Sequence, residues 1–566
     1  MKNIFLYFFF LSLSHFTIAQ TESFEWVKQM QGDQQQFQGD QQMYIEHSII
    51  DNQGNILCAG RYSGIKDFDP GPGVQSFSAY GTNGFIAKYS PDGNLIWAKD
   101  FVSDIWCSIT QIIIHQDSNI FMVGHFSLST DLDPGIDSTI FTTDQFEHKS
   151  FICKLDSNGQ FSWVKVLAQG ASSIKFDALD NIFVSGSFGG TIDFDPGPST
   201  TYLSTPWNKY NSHVCKFDSD GQFIWAKQFE SDGNNYARHL AIDENGKIII
   251  TGELKAITDF DPSINNDFNL ISYGGDRIYI CKLDSNGDFI WAKSILGKAS
   301  DMAIDVENEI YITGSFRNNS IDLDPGQGEY IVNLQGDRNT FILKLDTAGN
   351  FNWANAYQST QDVVISAITL DALGDIYTTG FFEGSADFDL SANDYTLSST
   401  LFSAFIHKIN SSGEFIWTHN FSSEDGRSVG TNICVDDSFE VYTSGQFTKY
   451  TEFGIGTTNQ LLDGGMSGDG FIHKINQPIS TVGISEIYLE SPYTVHPNPA
   501  SNLAQIYLGG KENLQISLFD IHGKQMTQFQ SDQEYLTLDV SNYIQGVYFI
   551  HIRGIQQAEV LKLVVE

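Results

Sequence analysis

The chain has 566 residues, 41% of them hydrophobic and 13% aromatic, with 44 Phe, 23 Tyr and 50 Gly. That length exceeds one ordinary core, and the Phe, Tyr and Gly content favours many short strands joined by tight turns over helices. With 31 basic against 69 acidic side chains the formal charge is −38, which argues against nucleic acid and anionic membrane surfaces as partners.

In chain order, residues 1–19 read as a secretory signal peptide. Lys2 supplies the positive start, Ile4 to Leu13 the apolar run, and Thr17-Ile18-Ala19 a small-residue cleavage site before Gln20. No Cys stands at the cut, which argues against lipid anchoring, and no later segment is long and apolar enough to be a transmembrane segment. Phe24-Glu25-Trp26-Val27-Lys28 follows, and then a Gln-rich stretch in which Gln31-Gly32-Asp33-Gln34-Gln35 is echoed by Gln38-Gly39-Asp40-Gln41-Gln42. Its composition predicts a polar loop.

From there the chain is periodic. Its unit is a hairpin, Ile280-Cys281-Lys282-Leu283-Asp284-Ser285-Asn286-Gly287-Asp288-Phe289-Ile290-Trp291-Ala292-Lys293, with alternating arms around a polar turn. Close copies stand at Phe85–Lys99, Phe151–Lys165, Val214–Lys227, Phe341–Trp353 and Phe405–Trp417. Trp26, Trp97, Trp163, Trp225, Trp291, Trp353 and Trp417 recur at intervals of about 65 residues. Each unit holds four strand-like runs, as in Ser173–Asp177, Asn181–Ser187, His213–Phe217 and Gln222–Lys227. Four strands per unit is the content of a propeller blade.

The ends of the array set the topology. The N-terminus supplies only a fourth strand around Trp26, whereas the last unit supplies Ile433–Asp436, Glu440–Phe447 and Phe471–Ile475 and then stops. The fold class expected is therefore all-β: a seven-bladed β-propeller over residues 20–478, its last blade closed by the N-terminal strand, leaving no bare edge. The Asn181–Gly186 strand and the Phe-Ile-Cys-Lys-Leu-Asp-Ser-Asn-Gly hairpin resemble the bacterial β-propeller repeat called SBBP. That resemblance implies fold and a surface or secreted setting, and no catalytic residues.

Residues 479–491 read as a linker, and residues 492–566 as a small β-sandwich of alternating runs, Leu514–Phe519, Tyr535–Val540, Val547–Ile552 and Val560–Val565. Pro497-Asn498-Pro499, Leu518-Phe519-Asp520-Ile521-His522-Gly523-Lys524, Gly546-Val547-Tyr548-Phe549-Ile550 and Lys562-Leu563-Val564-Val565 resemble the type A C-terminal sorting domain of the type IX secretion system. His496 departs from the Tyr usual before Pro-Asn-Pro. The resemblance implies a Bacteroidetes-type source, handling by the type IX machinery, and a mature protein that is secreted or attached to the outer surface.

One motif goes beyond folding. Asp67-Phe68-Asp69 recurs as Asp131-Leu132-Asp133, Asp193-Phe194-Asp195, Asp259-Phe260-Asp261, Asp322-Leu323-Asp324 and Asp387-Phe388-Asp389, and the seventh unit carries Glu452-Phe453-Gly454. In an extended segment both carboxylates point to one side and the middle residue to the other. Two readings fit: the carboxylates hold calcium, or they cap turns while the Phe or Leu packs inward. The third acidic residue and distant Glu of a full calcium loop are missing, which favours capping.

The repeat tryptophans share one strand position, which predicts packing between blades; Trp106 and Trp207 lie off that register, and Trp207 is the exposed-aromatic candidate. The six cysteines fall within strands without a CxxC, and read as small buried hydrophobes. HExxH and the P-loop motif are absent, and Gly426-Arg427-Ser428-Val429-Gly430 lacks the strand–turn–helix setting of a nucleophile elbow. The reading that results is a secreted or cell-surface propeller binding a glycan or protein. Its alternative is a polysaccharide hydrolase or lyase at the propeller axis, which requires an irregular cluster of acidic, His or Tyr side chains at one end.

Overall fold

In the computed structural model the residues described are 22–32, 42–144, 147–263, 265–272, 275–317, 320–423, 425–455, 458–466, 468–477, 493–508, 514–520, 525–541, 543, 545–553 and 558–565. The expected signal peptide, most of the Gln-rich stretch, the expected linker and the expected turn at 521–524 lie outside the described residues. The chain divides into two units, Met1–Ile479 and Ser480–Glu566. The regular secondary structure of the described residues is all β, in many strands grouped into small sheets.

In the first unit four strands recur in one order. Ser173–Phe176, Ile182–Gly189, Tyr210–Phe217 and Phe223–Phe229 form an antiparallel sheet in which each strand pairs with the next. The same succession runs from Met43–Ile50 to Leu95–Phe101, from Trp106–Ile114 to Phe161–Leu167, and from Asn235–Ile242 to Phe289–Leu296. It continues from Lys298–Ile304 to Phe351–Tyr357 and from Val363–Leu370 to Phe415–Phe421. Ser428–Val435, Val441–Phe447 and Asp469–Asn476 take their fourth strand from the other end of the chain, Ser23–Gly32. Trp26 faces Lys474 there, as Trp291 faces Lys282 within a continuous hairpin.

Local chemistry explains the hairpins. Asp284 Oδ1 accepts the backbone N–H groups of Asn286 and Asp288 at 2.8 and 3.0 Å, an Asx turn that closes the loop. Gly287 sits at φ +80°, and a Cβ there would lie 3.0 Å from the Trp225 indole of the preceding sheet. Gly221 and Gly349 meet Trp163 and Trp291 in the same way, at 2.8 and 2.9 Å. The register of the tryptophans is thus set by the next sheet's glycine turn.

The apolar cores lie between sheets. Phe183, Val214 and Phe229 of one sheet join Leu240, Ile250, Tyr279 and Cys281 of the next. Tyr442 and Ile472 of the last sheet join Met43, Ile45 and Cys58 of the first. Each fully buried side chain of this size contributes roughly 1.5–3 kcal/mol. First strands run beside first strands, Ser428–Val435 beside Met43–Ile50 included. Across that last contact Ser48 Oγ donates to Asn432 Oδ1 at 2.9 Å and Thr431 Oγ1 to the Ile45 carbonyl at 2.6 Å.

A third-strand lysine bridges several of these joints. Lys282 pairs with Asp243 of its own sheet at 2.9 Å and donates to the Thr347 carbonyl in the next hairpin at 3.3 Å. Lys474 of the last sheet pairs with Glu440 at 2.7 Å and reaches the Pro91 carbonyl of the first at 3.5 Å.

The second unit is two sheets, one of three strands (Thr494–His496, Leu503–Tyr507, Tyr535–Asp539) and one of four (Gln525–Ser531, Leu514–Asp520, Gly546–Arg553, Ala558–Val565). Val495, Ile506 and Leu538 of the former share a core with Ile516, Leu518, Ile550 and Leu563 of the latter. Asn498 ties two of the quoted motifs together. Its Nδ2 donates to the Lys562 carbonyl at 2.6 Å and its Oδ1 accepts the Val564 N–H at 2.8 Å.

Candidate functional site

The Asp-rich turns come first, because the sequence singles them out. Asp67 Oδ1 accepts the N–H groups of Asp69 and Gln75, at 3.1 and 2.8 Å, and Asp69 Oδ1 that of Gly71 at 2.8 Å. The pattern repeats at Asp131 and Asp133, Asp193 and Asp195, and Asp322 and Asp324. Asp259 and Asp261, and Asp387 and Asp389, make the same bonds with Ser at the final position. The middle residues Phe68, Leu132, Phe194, Phe260, Leu323 and Phe388 are buried. One oxygen of each carboxylate is therefore engaged by backbone, and the apolar residue anchors the loop in the core. Among the described residues, no group of three or more His, Cys, Asp or Glu side chains is placed to hold a metal ion.

The other sequence candidates fall apart from these turns. Trp207 projects into solvent at 96% exposure. Ser428 of the GxSxG match is buried in a strand, its Oγ donating to the Phe421 carbonyl at 3.0 Å and accepting the Ala404 N–H at 2.9 Å. That hydroxyl is occupied with packing. The six cysteines are free thiols, five of them buried.

Sequence reasoning missed a cavity of about 920 Å³ between the second, third and fourth sheets. Its lining includes His125, Asp144, Glu147, His148, Gln169, Tyr210, Tyr236 and Arg238. Tyr210 and Tyr236 come from different sheets, and their rings lie 6.0 Å apart, inclined by 33°. Arg238 sits 5.8 Å from the Tyr236 ring and pairs with Glu253 at 3.3 Å. Behind the wall, Trp106 stacks on His125 and meets His148 edge-on. His125 shares a hydrogen bond of 2.8 Å with Ser150 Oγ; burial, reinforced by His148, pushes its pKa down to about 4. The ring is neutral at pH 7 and serves as a polar, uncharged wall.

The signal for this cavity was present but dispersed. The residue after the second-strand glycine is Arg61, His125, Ser187, Glu253, Ser315, Phe381 and Gln446 in successive repeats. A position that varies so widely beside an invariant glycine marks the end where the sheets differ.

Comparison with known proteins bears mainly on the C-terminus. Residues 494–566 match the secretion system C-terminal sorting domain family. The chain carries that sorting domain, and is a secreted or cell-surface protein. Over 271 residues it is 24% identical to an uncharacterized WD repeat-containing protein of Acanthamoeba polyphaga mimivirus; the match covers 40% of this chain and spans only 19% of that protein's length. Among solved structures, PorZ, an essential bacterial surface component of the type-IX secretion system of Porphyromonas gingivalis, aligns over 92% of this chain and 81% of its own, at 11% identity and a TM-score of 0.23. A protein of unknown function from Bacteroides caccae aligns over 59% of this chain and 89% of its own, at 10% identity and a TM-score of 0.30. Among the described residues, no helix is long and apolar enough to cross a membrane.

Proposed function

We propose that this protein is a seven-bladed β-propeller of SBBP-type repeats, exported by the type IX secretion system, that binds a glycan in the cavity beside Tyr210 and Tyr236. Support for the ring comes from the succession of shared cores, which runs from first sheet to last and returns through Tyr442, Ile472, Met43 and Ile45. Support for export comes from the sorting domain, in which Asn498 clasps the terminal strand. The ligand class rests on the cavity. Two tyrosine rings offer apolar faces for sugar C–H groups, and Arg238, Gln169, Asp144 and Glu147 offer hydrogen bonds for hydroxyls.

A glycan array probed with the purified mature chain tests this reading. Retention of one oligosaccharide class is expected, reduced at least tenfold by Tyr210→Ala and by Tyr236→Ala at unchanged melting temperature. Equal retention by both variants overturns it. Removing residues 494–566 is expected to leave the chain in the periplasm, and surface delivery without them refutes the sorting assignment.

The alternative, a polysaccharide hydrolase or lyase, draws on the same cavity, because Asp144, Glu147, His148 and Tyr210 are the irregular mixture such chemistry requires. Release of oligosaccharide products by the retained ligand separates the two readings.

A further inference from the structure

The connections from the fourth strand of one sheet to the first strand of the next are unequal. Phe101 to Trp106, Phe229 to Asn235 and Tyr357 to Val363 are each linked by four or five residues. A serine in each link bridges to the next sheet, Ser103 to Thr130, Ser231 to Thr258 and Ser359 to Ala386. Between the fourth and fifth sheets Gly297 alone stands between Leu296 and Lys298. Its φ of +121° makes the corner, and its N–H donates to the Asp276 carbonyl at 2.9 Å.

The shortened link leaves a space. Ile321 directly precedes its Asp-rich turn, as Thr130, Thr258 and Ala386 precede theirs. Where the serine segment would run, Ile321 lines a cavity of about 260 Å³ instead. Leu296 and Phe316 extend its apolar wall, and Lys298, Arg317 and Arg338 bring three cations to it.

These cations are particular to this joint. Arg317 follows the second strand where the other sheets carry Ser63, Ser127, Gly189, Lys255, Glu383 and Thr448. Lys298 pairs with Ser315 as Tyr236 pairs with Glu253, so it holds the Tyr236 position. Arg338 precedes Asn339, which pairs with Phe316 as Asn211 pairs with Phe188, so it holds the Tyr210 position. The cavity therefore opens at the same end of the strands as the one beside Tyr210 and Tyr236.

Its charges are partly compensated. Asp276 divides its two oxygens between Lys255 and Lys298, each at 3.3 Å. Arg338 Nη2 lies 3.7 Å from Asp362 Oδ2, an ion pair too long for a hydrogen bond. Four cations thus face two carboxylates, in a chain whose 69 acidic side chains outnumber 31 basic ones. Lys298 and Arg338 keep 58% and 29% of their side-chain surface, and Arg317 is exposed, so a ligand reaches all three.

We propose that this gap is a second binding site, which takes the carboxylate of a hexuronate residue. A guanidinium presents paired N–H donors that match a carboxylate, while the wall of Leu296, Phe316 and Ile321 suits the C–H groups of one sugar ring. The sugar part of this assignment rests on the glycan reading, and the carboxylate part rests on the cavity alone.

Calorimetric titration of the purified mature chain with a galacturonate trisaccharide, beside the neutral galactose trisaccharide, tests it. Saturable binding is expected, at least tenfold tighter for the charged sugar and weaker as salt rises. Arg317→Gln, an exposed change, is expected to weaken it at least tenfold at unchanged melting temperature. Arg338→Lys keeps the charge, loses the fork, and is expected to weaken it as well. Equal binding of the two sugars, or unaltered binding by Arg317→Gln, overturns the site. A glutamate peptide bound where galacturonate is not overturns the sugar assignment. Tyr210→Ala, which removes the neighbouring glycan contact, is expected to leave galacturonate binding unchanged, so failure of that cavity and failure of this gap are read separately.

Discussion

Six sheets of the first unit join their third and fourth strands through a hairpin turn, and the last sheet does not. Where Tyr210–Phe217 runs through an Asx turn into Phe223–Phe229, Asp469–Asn476 meets Ser23–Gly32 with no covalent link at that end. What replaces the turn lies at the opposite end of the strand pair. Asp469 accepts the Gly32 N–H at 2.9 Å and Gln29 Nε2 at 2.8 Å, and pairs with buried Lys66 of the first sheet at 2.7 Å. In ordinary joints the Lys66 position carries a residue such as Thr130 or Thr258, whose hydroxyl meets Ser103 or Ser231 at 2.8 and 2.9 Å. A neutral hydroxyl pair suffices where the chain is continuous. A buried ion pair stands where one strand must be held from outside.

The largest effect that sharpens this contrast is deletion of Ser23–Lys28. It strips the last sheet of its fourth strand and of Val27 in the core beside Phe471, and the cooperative melting transition of the whole first unit is expected to be lost. A transition that survives unchanged breaks the closing-strand account. Next comes Asp469→Ala, which leaves Lys66 buried and unpaired and is expected to cost about 3–5 kcal/mol in urea unfolding. Thr258→Ala at an ordinary joint removes only a hydroxyl pair, and about 1 kcal/mol is expected. Equal losses at the two sites would erase the distinction.

Acid probes the same seam. His473 faces Val27 across it, packs 5.4 Å from Phe24, and has no hydrogen-bond partner on either ring nitrogen among the described residues. Burial, and then His419, hold its pKa down to about 3, whereas the unfolded chain takes up that proton near pH 6.5. Between those values the unfolded state binds more protons, so stability falls as pH drops from 6.5 toward 3, by up to ~1.4 kcal/mol per pH unit from this residue. His473→Leu, which installs the residue found at Leu343 in another repeat, is expected to flatten that limb of the stability profile. An unaltered slope would place the acid sensitivity elsewhere, for instance at His407 or His213, whose buried rings lie in other sheets and are likewise held low.

Much of this was legible in the chain. Strand alternation, the Asp-Ser-Asn-Gly turns and the spacing of the tryptophans predict an all-β repeat, and the partner of the Trp26 strand follows from counting what the last unit lacks. The clasp was not legible, because Lys66 directly precedes the Asp67 turn and reads as part of it, while its partner Asp469 is 403 residues away. The cavity escaped for a related reason. Tyr210, Tyr236 and His148 are unremarkable in their own repeats and converge only when three sheets pack together. Periodicity reports what repeats, and this cavity is lined by what does not.

The smallest expected effect concerns the Asp-rich turns, which set calcium against capping. If Asp193 works as a cap, its Oδ1 matters and its charge does not, because that one oxygen receives the N–H groups of Asp195 and Thr201 at 3.2 and 2.8 Å. Asp193→Asn keeps such an oxygen, and a stability change below about 0.5 kcal/mol is expected. Asp193→Ala removes it and strands two backbone donors at the edge of the turn, for a loss of about 1–2 kcal/mol. Chelation is then expected to leave the melting temperature of the wild type where it was. A bound cation would reverse this order, since the Asn variant loses charge at the metal and should fall nearly as far as Ala, with chelator lowering the wild type to meet both. Because Phe194 is buried beneath the turn in either case, loss of loop anchoring cannot mimic that pattern, and the Asn-to-Ala difference alone decides between them.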